Sequence, residues 1–136
     1  KTDMGLFDFL KPKKEKNPAD LFLDAMIEYI ENNPQACDSD EIAQGTGEFG
    51  LDITNPVPVK TIVGNEVYLK RLRTVDGTPI TWDREGSREI KEIWGNIDVY
   101  NIFNSAGEKI STIYISPYHW GMSNKAPKGF KIDNSA

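Results

Sequence analysis

The sequence predicts an α+β fold: an N-terminal helix packed on a twisted antiparallel sheet of about five strands in two meanders, closed by an aromatic C-terminal arm. Three observations point there. One run with helical spacing of apolar residues lies between Pro18 and Asn33, strand-like segments punctuated by turn dipeptides extend from Val59 to Ser116, and the segment after Pro117 interleaves aromatic residues with lysines. A length of 136 residues suits one domain with a core that needs no disulfide. We assign residues 1–16 to a flexible or docking N-terminal segment and 17–136 to the domain.

The opening segment sets Leu6, Phe7, Phe9 and Leu10 before a Lys-rich run broken by Pro12. It is too short to hold a membrane surface firmly by itself, so docking on the domain or fraying is the simpler expectation. Met4-Gly5 reads as a translation start, which leaves Lys1-Thr2-Asp3 as a remnant or the end of a longer precursor.

The helix is expected from Pro18 to about Asn33. Asn17 is a good N-cap, Pro18 suits the first helical position, and Asp20 and Asp24 complement the positive helix end. Leu23, Met26, Ile27 and Ile30 form the apolar face, widened by Phe22 and Tyr29, and Pro34 stops the element. Asp20, Asp24, Glu28 and Glu31 share another face with no Lys or Arg at the i+4 positions. Such a stripe is either a solvated face or a docking surface for a basic partner.

After a possible turn at 40–44, the chain is glycine-rich and then reads Asn55-Pro56-Val57-Pro58-Val59, an extended approach to a sheet edge. Gly64-Asn65 between Val59–Val63 and Glu66–Thr74 predicts a hairpin, and Asp76-Gly77 predicts a second one leading into Thr78–Trp82. Ile97–Phe103 and Lys109–Ser116 flank a longer hairpin loop at 104–108. No internal repeat of 20–50 residues is present.

The net charge of −5 is unevenly held: residues 1–16 carry +2, residues 17–59 carry nine acids and no Lys or Arg, and the remainder carries +2. Charge of this kind bears on partners rather than on fold. A single cysteine excludes an intrachain disulfide and a cysteine-rich zinc site, and no run of about 18 apolar residues is present. With no signal peptide in view, the expected location is the cytoplasm, and neither a cofactor nor a metal is expected.

Motif by motif, the chemistry is thin. Gly45-Thr46-Gly47-Glu48-Phe49-Gly50 spells G-x-G-x-x-G, but no strand precedes it and two prolines follow where a helix is required. Asp38-Ser39-Asp40 opens like a calcium loop, yet Ile42, Ala43 and Phe49 occupy the later ligand and glycine positions. Cys37 and His119 are a formal nucleophile–base pair, but Asp38, Asp40 and Glu41 oppose a thiolate.

His119, the sole histidine, lies within Tyr118-His119-Trp120. It is most simply a packed, hydrogen-bonded side chain; its alternative role is the centre of a small hydrolase or nuclease, with Tyr118, Arg84, Asp83, Asp98 and Ser123 as candidate helpers. The arm carries Lys125, Lys128 and Lys131 beside Trp120, the residue types that single-stranded nucleic acid needs, although three lysines make a small footprint.

Phe49-Gly50-Leu51, Asn55-Pro56-Val57-Pro58-Val59, Tyr68-Leu69-Lys70-Arg71-Leu72-Arg73, Gly86-Ser87, Asp98-Val99-Tyr100 and Tyr118-His119 through Ser123 to Lys125-Ala126-Pro127-Lys128-Gly129-Phe130 follow in an order that resembles a group of small uncharacterised bacterial proteins. The resemblance runs from about Gly47 to Phe130 and implies a shared fold without an activity. Where that group often carries His-Arg before the Gly-Ser and an Arg-rich segment after the Tyr-His, this chain has Asp83-Arg84 and Trp120-Gly121-Met122.

The leading functional expectation is a non-enzymatic interaction module that offers its acidic surface, Asp20, Asp24, Glu28 and Glu31 first, to a basic protein. The hydrolase or nuclease at His119 is the alternative, and weak nucleic-acid binding through Lys125, Lys128, Lys131 and Trp120 is third.

Overall fold

The computed structural model describes residues 16–135, so the expectations for the opening aromatic and Lys-rich segment fall outside the described residues. The fold is α+β, with elements in the order α1 (Pro18–Asn32), β1 (Val57–Pro58), α2 (Thr61–Arg71), β2 (Leu72–Thr74), β3 (Thr81–Ile90), β4 (Ile93–Phe103), β5 (Lys109–Ser116) and β6 (Phe130–Ile132). The main sheet has the order β1-β5-β4-β3; β1 runs parallel to β5 and the other pairs are antiparallel. β2 and β6 form a separate two-stranded antiparallel ribbon. No helix among the described residues is long and apolar enough to cross a membrane.

α1 begins and ends where its signals place it. The Asn17 side chain accepts the Asp20 N–H at 2.9 Å, and the Asn33 N–H returns to the Ile30 carbonyl at 3.1 Å. Its apolar face is only partly used: Met26 and Ile30 are buried, while Leu23 lies in water with Leu21, Phe22 and Tyr29. α1 touches α2 rather than lying broadly across the sheet.

The hairpin expected around Gly64-Asn65 is replaced by α2, so the first of the two expected meanders does not form. The buried positions of α2 are Thr61, Gly64, Asn65, Tyr68 and Leu69, a helical i, i+3, i+4, i+7, i+8 series. Two of its five members are the glycine and asparagine that otherwise spell a turn. Gly64 lets the helix approach β1: a Cβ there would lie 3.3 Å from Val59. Asn65 is buried because it binds Asp98 and Tyr100 across the interface. The tight turn at Asp76-Gly77 does form, with the Gly77 N–H on the Thr74 carbonyl, but β2 then pairs with β6.

The main core gathers Val57, Val59, Tyr68, Leu69, Leu72, Tyr100, Ile102, Ile113 and Ile115 between α2 and one face of the sheet. A smaller cluster of Ile42, Ile93 and Ile97, with Cys37 and Tyr114 against it, underlies the 37–53 segment. β3 is an edge strand, and Asp83, Arg84, Glu85, Arg88 and Glu89 along it discourage pairing with another chain.

Candidate functional site

Side chains of several chemical types converge where α1, the β3–β4 turn and the start of the C-terminal arm meet. The asparagine that ends α1 ties these parts together: Asn33 Nδ2 donates to the Tyr118 carbonyl at 2.8 Å, while its Oδ1 accepts the Gln35 N–H at 2.8 Å. Gln35 then clamps the β3–β4 turn, donating to the Glu92 carbonyl at 2.9 Å and accepting the Trp94 N–H at 2.8 Å.

The result is an aromatic cup. The ring centroids of Tyr29 and Trp94 are 6.4 Å apart, and that of Tyr118 is 5.6 Å from each. The planes are mutually inclined at 59°, 50° and 89°, so the rings do not stack flat. With Glu89, Gly95 and Asn96 they line an open cavity of about 520 Å³. Gly95 has φ +82°, and a Cβ on it would fall 2.7 Å from the Tyr118 ring, so only glycine lets the turn rest on that ring. Burial, then the nearby Asp98 carboxylate, raises the Tyr118 phenol above its usual range, which keeps it neutral.

A polar group is centred on the buried Asp98 and Asn65 and reaches the exposed Arg84. Arg84 Nη2 donates to Asp98 Oδ1 at 2.9 Å and Asn65 Nδ2 donates to Asp98 Oδ2 at 2.7 Å and to the Tyr100 hydroxyl at 3.1 Å. A bulge after Arg84 sets it opposite Tyr100 in the ladder, within reach of Asp98. The hydrogen bond to Asp98 raises the Arg84 pKa further, so the guanidinium stays charged and forms an ion pair with Asp98.

His119 has no exposed surface. Its Nδ1 accepts the Cys37 N–H at 3.1 Å, with the Cys37 Sγ 3.4 Å away, and its Nε2 lies 3.0 Å from the Ser116 hydroxyl. An N–H pointing at Nδ1 requires that nitrogen to be unprotonated, so the proton sits on Nε2 and Ser116 accepts it. Burial lowers the imidazole pKa to about 4.

The candidate helpers are dispersed. Asp98 and Arg84 bind one another, Asp83 binds Asn101 at 3.1 Å, and the buried Ser123 accepts the Lys125 N–H at 3.1 Å. None of them is hydrogen-bonded to His119, whose partners are Cys37 and Ser116. Along the arm, Lys125 is held by Glu41 at 2.7 Å and lies 5.2 Å from the Phe49 ring centroid, which keeps the Glu41 carboxylate below its usual range. Lys128 is exposed, Lys131 faces Arg73 across the β2–β6 ribbon, and Trp120 is half-exposed beside Cys37, whose carbonyl accepts its N–H. On α1, Asp20, Glu28 and Glu31 are exposed, and Asp24 pairs with Lys16.

Sequence reasoning missed the cup: Tyr29, Trp94 and Tyr118 are far apart in the chain, and Trp94-Gly95 carries no pattern that singles it out. The chain matches no family model, no curated protein and no solved structure. Function is therefore read from the geometry.

Proposed function

We propose that this chain is a non-enzymatic interaction module that receives a basic, partly apolar protein surface on the α1 side. The observation that carries the reading is the exposure of α1, whose large apolar side chains lie in water beside its acids. Leu21, Phe22, Leu23 and Tyr29 are between 45% and 56% exposed, among Asp20, Asp24, Glu28 and Glu31. α2, which α1 touches, adds the exposed Ile62, Val63 and Val67. Large apolar side chains grouped in water mark contact surfaces. Acids among them select a basic partner, speed its encounter and make the complex salt-sensitive.

A hydrolase or nuclease centred on His119 is the weaker reading. A general base must reach a substrate proton, and this ring is enclosed with both nitrogens engaged internally. Nucleic-acid binding by the arm has little free charge to use, since Lys125 is already paired with Glu41.

Fluorescence anisotropy with a panel of amphipathic peptides, Lys- and Arg-rich against Asp- and Glu-rich, tests the proposal. The basic peptides should bind at low salt, lose affinity as salt rises, and fail to bind a variant carrying Asp24→Lys, Glu28→Lys and Glu31→Lys. Equal binding of both peptide classes, or undiminished binding by the variant, contradicts it.

A further inference from the structure

We infer that the cup formed by Tyr29, Trp94 and Tyr118, with Glu89 at its side, is a binding site for an alkylammonium group. The inference rests on the interaction-module reading, for which it names the anchor: a lysine side chain of the partner, plain or N-methylated.

The geometry of the rings comes first. Three centroids separated by 5.6–6.4 Å leave a point, about 4 Å out from their common plane, that is about 5 Å from all three. A cation is attracted to the face of an aromatic ring within about 6 Å of its centroid, and an ammonium there falls within that distance of all three centroids. All three rings line the cavity of about 520 Å³, which is open to solvent.

Charge comes second. Among the described residues, Glu89 is the one carboxylate lining the cavity, and that lining contains no Lys, Arg or His. Arg84, which acts on Tyr118 electrostatically, is ion-paired with Asp98, and Arg88 is paired with Glu85 at 3.3 Å. Lys91 lines an adjoining depression that shares Glu89 and Gly95. A site with electron-rich ring faces, a carboxylate and no cation of its own is complementary to a positive, partly apolar head. Glu28 and Tyr29 line a further depression on α1, which shares Tyr29 with the cup.

The test uses the isolated full chain and defined probes, so it does not depend on any partner of α1. Tetramethylammonium and choline are titrated while the Trp94 indole and Gly95 amide are followed by NMR. Saturable shifts at these groups, with a dissociation constant on the order of 1 mM, are expected. Choline's neutral isostere 3,3-dimethylbutan-1-ol should bind at least about fivefold more weakly, because it keeps the shape and loses the charge. Tyr29→Ala, at a half-exposed position on α1, and Glu89→Gln should each weaken choline several-fold. Peptides with lysine or trimethyl-lysine then separate a protein side chain from a free small cation: tighter binding of a peptide than of choline is expected, and the reverse overturns the assignment to a partner's lysine. Asp20→Lys with Asp24→Lys and Glu31→Lys should leave choline affinity within about twofold while abolishing peptide capture by α1. Absence of saturable shifts, or equal affinity for the neutral isostere, overturns the cation site whatever the fate of the α1 proposal.

Discussion

The main-chain N–H of Cys37 donates to Nδ1 of His119 at 3.1 Å, and this one bond fixes both the tautomer of the imidazole and its role. It fastens the segment after α1 to the start of the C-terminal arm, and the Cys37 carbonyl completes the join by accepting the Trp120 N–H at 2.9 Å. The histidine thereby holds in place the strand of chain that carries Tyr118, the floor of the aromatic cup. Because the thiol plays the lesser part, Cys37→Ala should cost no more than about 1 kcal/mol, whereas His119→Ala leaves a void and an orphaned N–H and should cost about 3 kcal/mol. Urea denaturation of the two variants compares them directly, and equal losses would contradict this division.

The same burial makes His119 a source of acid sensitivity. Its pKa falls from 6.5 to about 4 in the folded state, so the unfolded chain takes up the extra proton between those values. Its contribution is full above about pH 6.5 and is lost as pH falls towards 4, a difference of about 3 kcal/mol. Denaturation at pH 7, 5.5 and 4 should show a shallower loss for His119→Gln than for the native chain, even though the variant is less stable at pH 7. Parallel slopes would mean that the imidazole is protonated in the fold.

Much of the architecture was legible in the residues, and the part that was not has a physical cause. α1 was bounded by Asn17-Pro18 and Asn33-Pro34, which act locally, and the β4–β5 hairpin by alternation around 104–108. α2 was hidden because its buried series includes Gly64 and Asn65. Their burial is dictated by close approach to Val59 and by the hydrogen bond to Asp98, partners about five and 33 positions away. β-branched Thr61, Ile62, Val63 and Val67 reinforced the strand reading. The acidic stripe of α1 was visible as sequence, but the exposure of Leu21 and Leu23 beside it depends on what the rest of the chain leaves uncovered.

Gly95 offers a test of the cup's construction. Gly77 and Gly95 have nearly the same backbone, φ +84° and +82°, but nothing lies within 4 Å of a Cβ on Gly77, whereas one on Gly95 meets Tyr118 at 2.7 Å. Gly77→Ala should cost about 1–2 kcal/mol for the left-handed backbone alone. Gly95→Ala should cost about 1–3 kcal/mol more and shift the Tyr118 ring resonances. Equal losses would show that Tyr118 does not press on this glycine.

Thr61 adopts φ +63°, a left-handed conformation costly for a β-branched residue, where the chain swings from β1 into α2. Its N–H is satisfied by the Pro117 carbonyl at 2.9 Å, which pins the turn to the arm. Thr61→Gly relieves that strain and should leave stability within about 1 kcal/mol of native, in contrast to Ile62→Gly in the same helix, which should lose about 1 kcal/mol or more. Thermal melts of the two variants decide it, and a larger loss at Thr61 would contradict the assigned strain.

On the proposed reading, α1 and the cup beside it form one receiving surface for a basic partner. Chemical-shift mapping of the isotopically labelled chain with a Lys-rich amphipathic peptide measures this most directly. Saturable, salt-sensitive perturbations are expected along Leu21–Glu31 and at Trp94 and Gly95, with the amides of Lys128 and Lys131 unmoved. Perturbations centred on the C-terminal arm, or none that saturate at low salt, would contradict it.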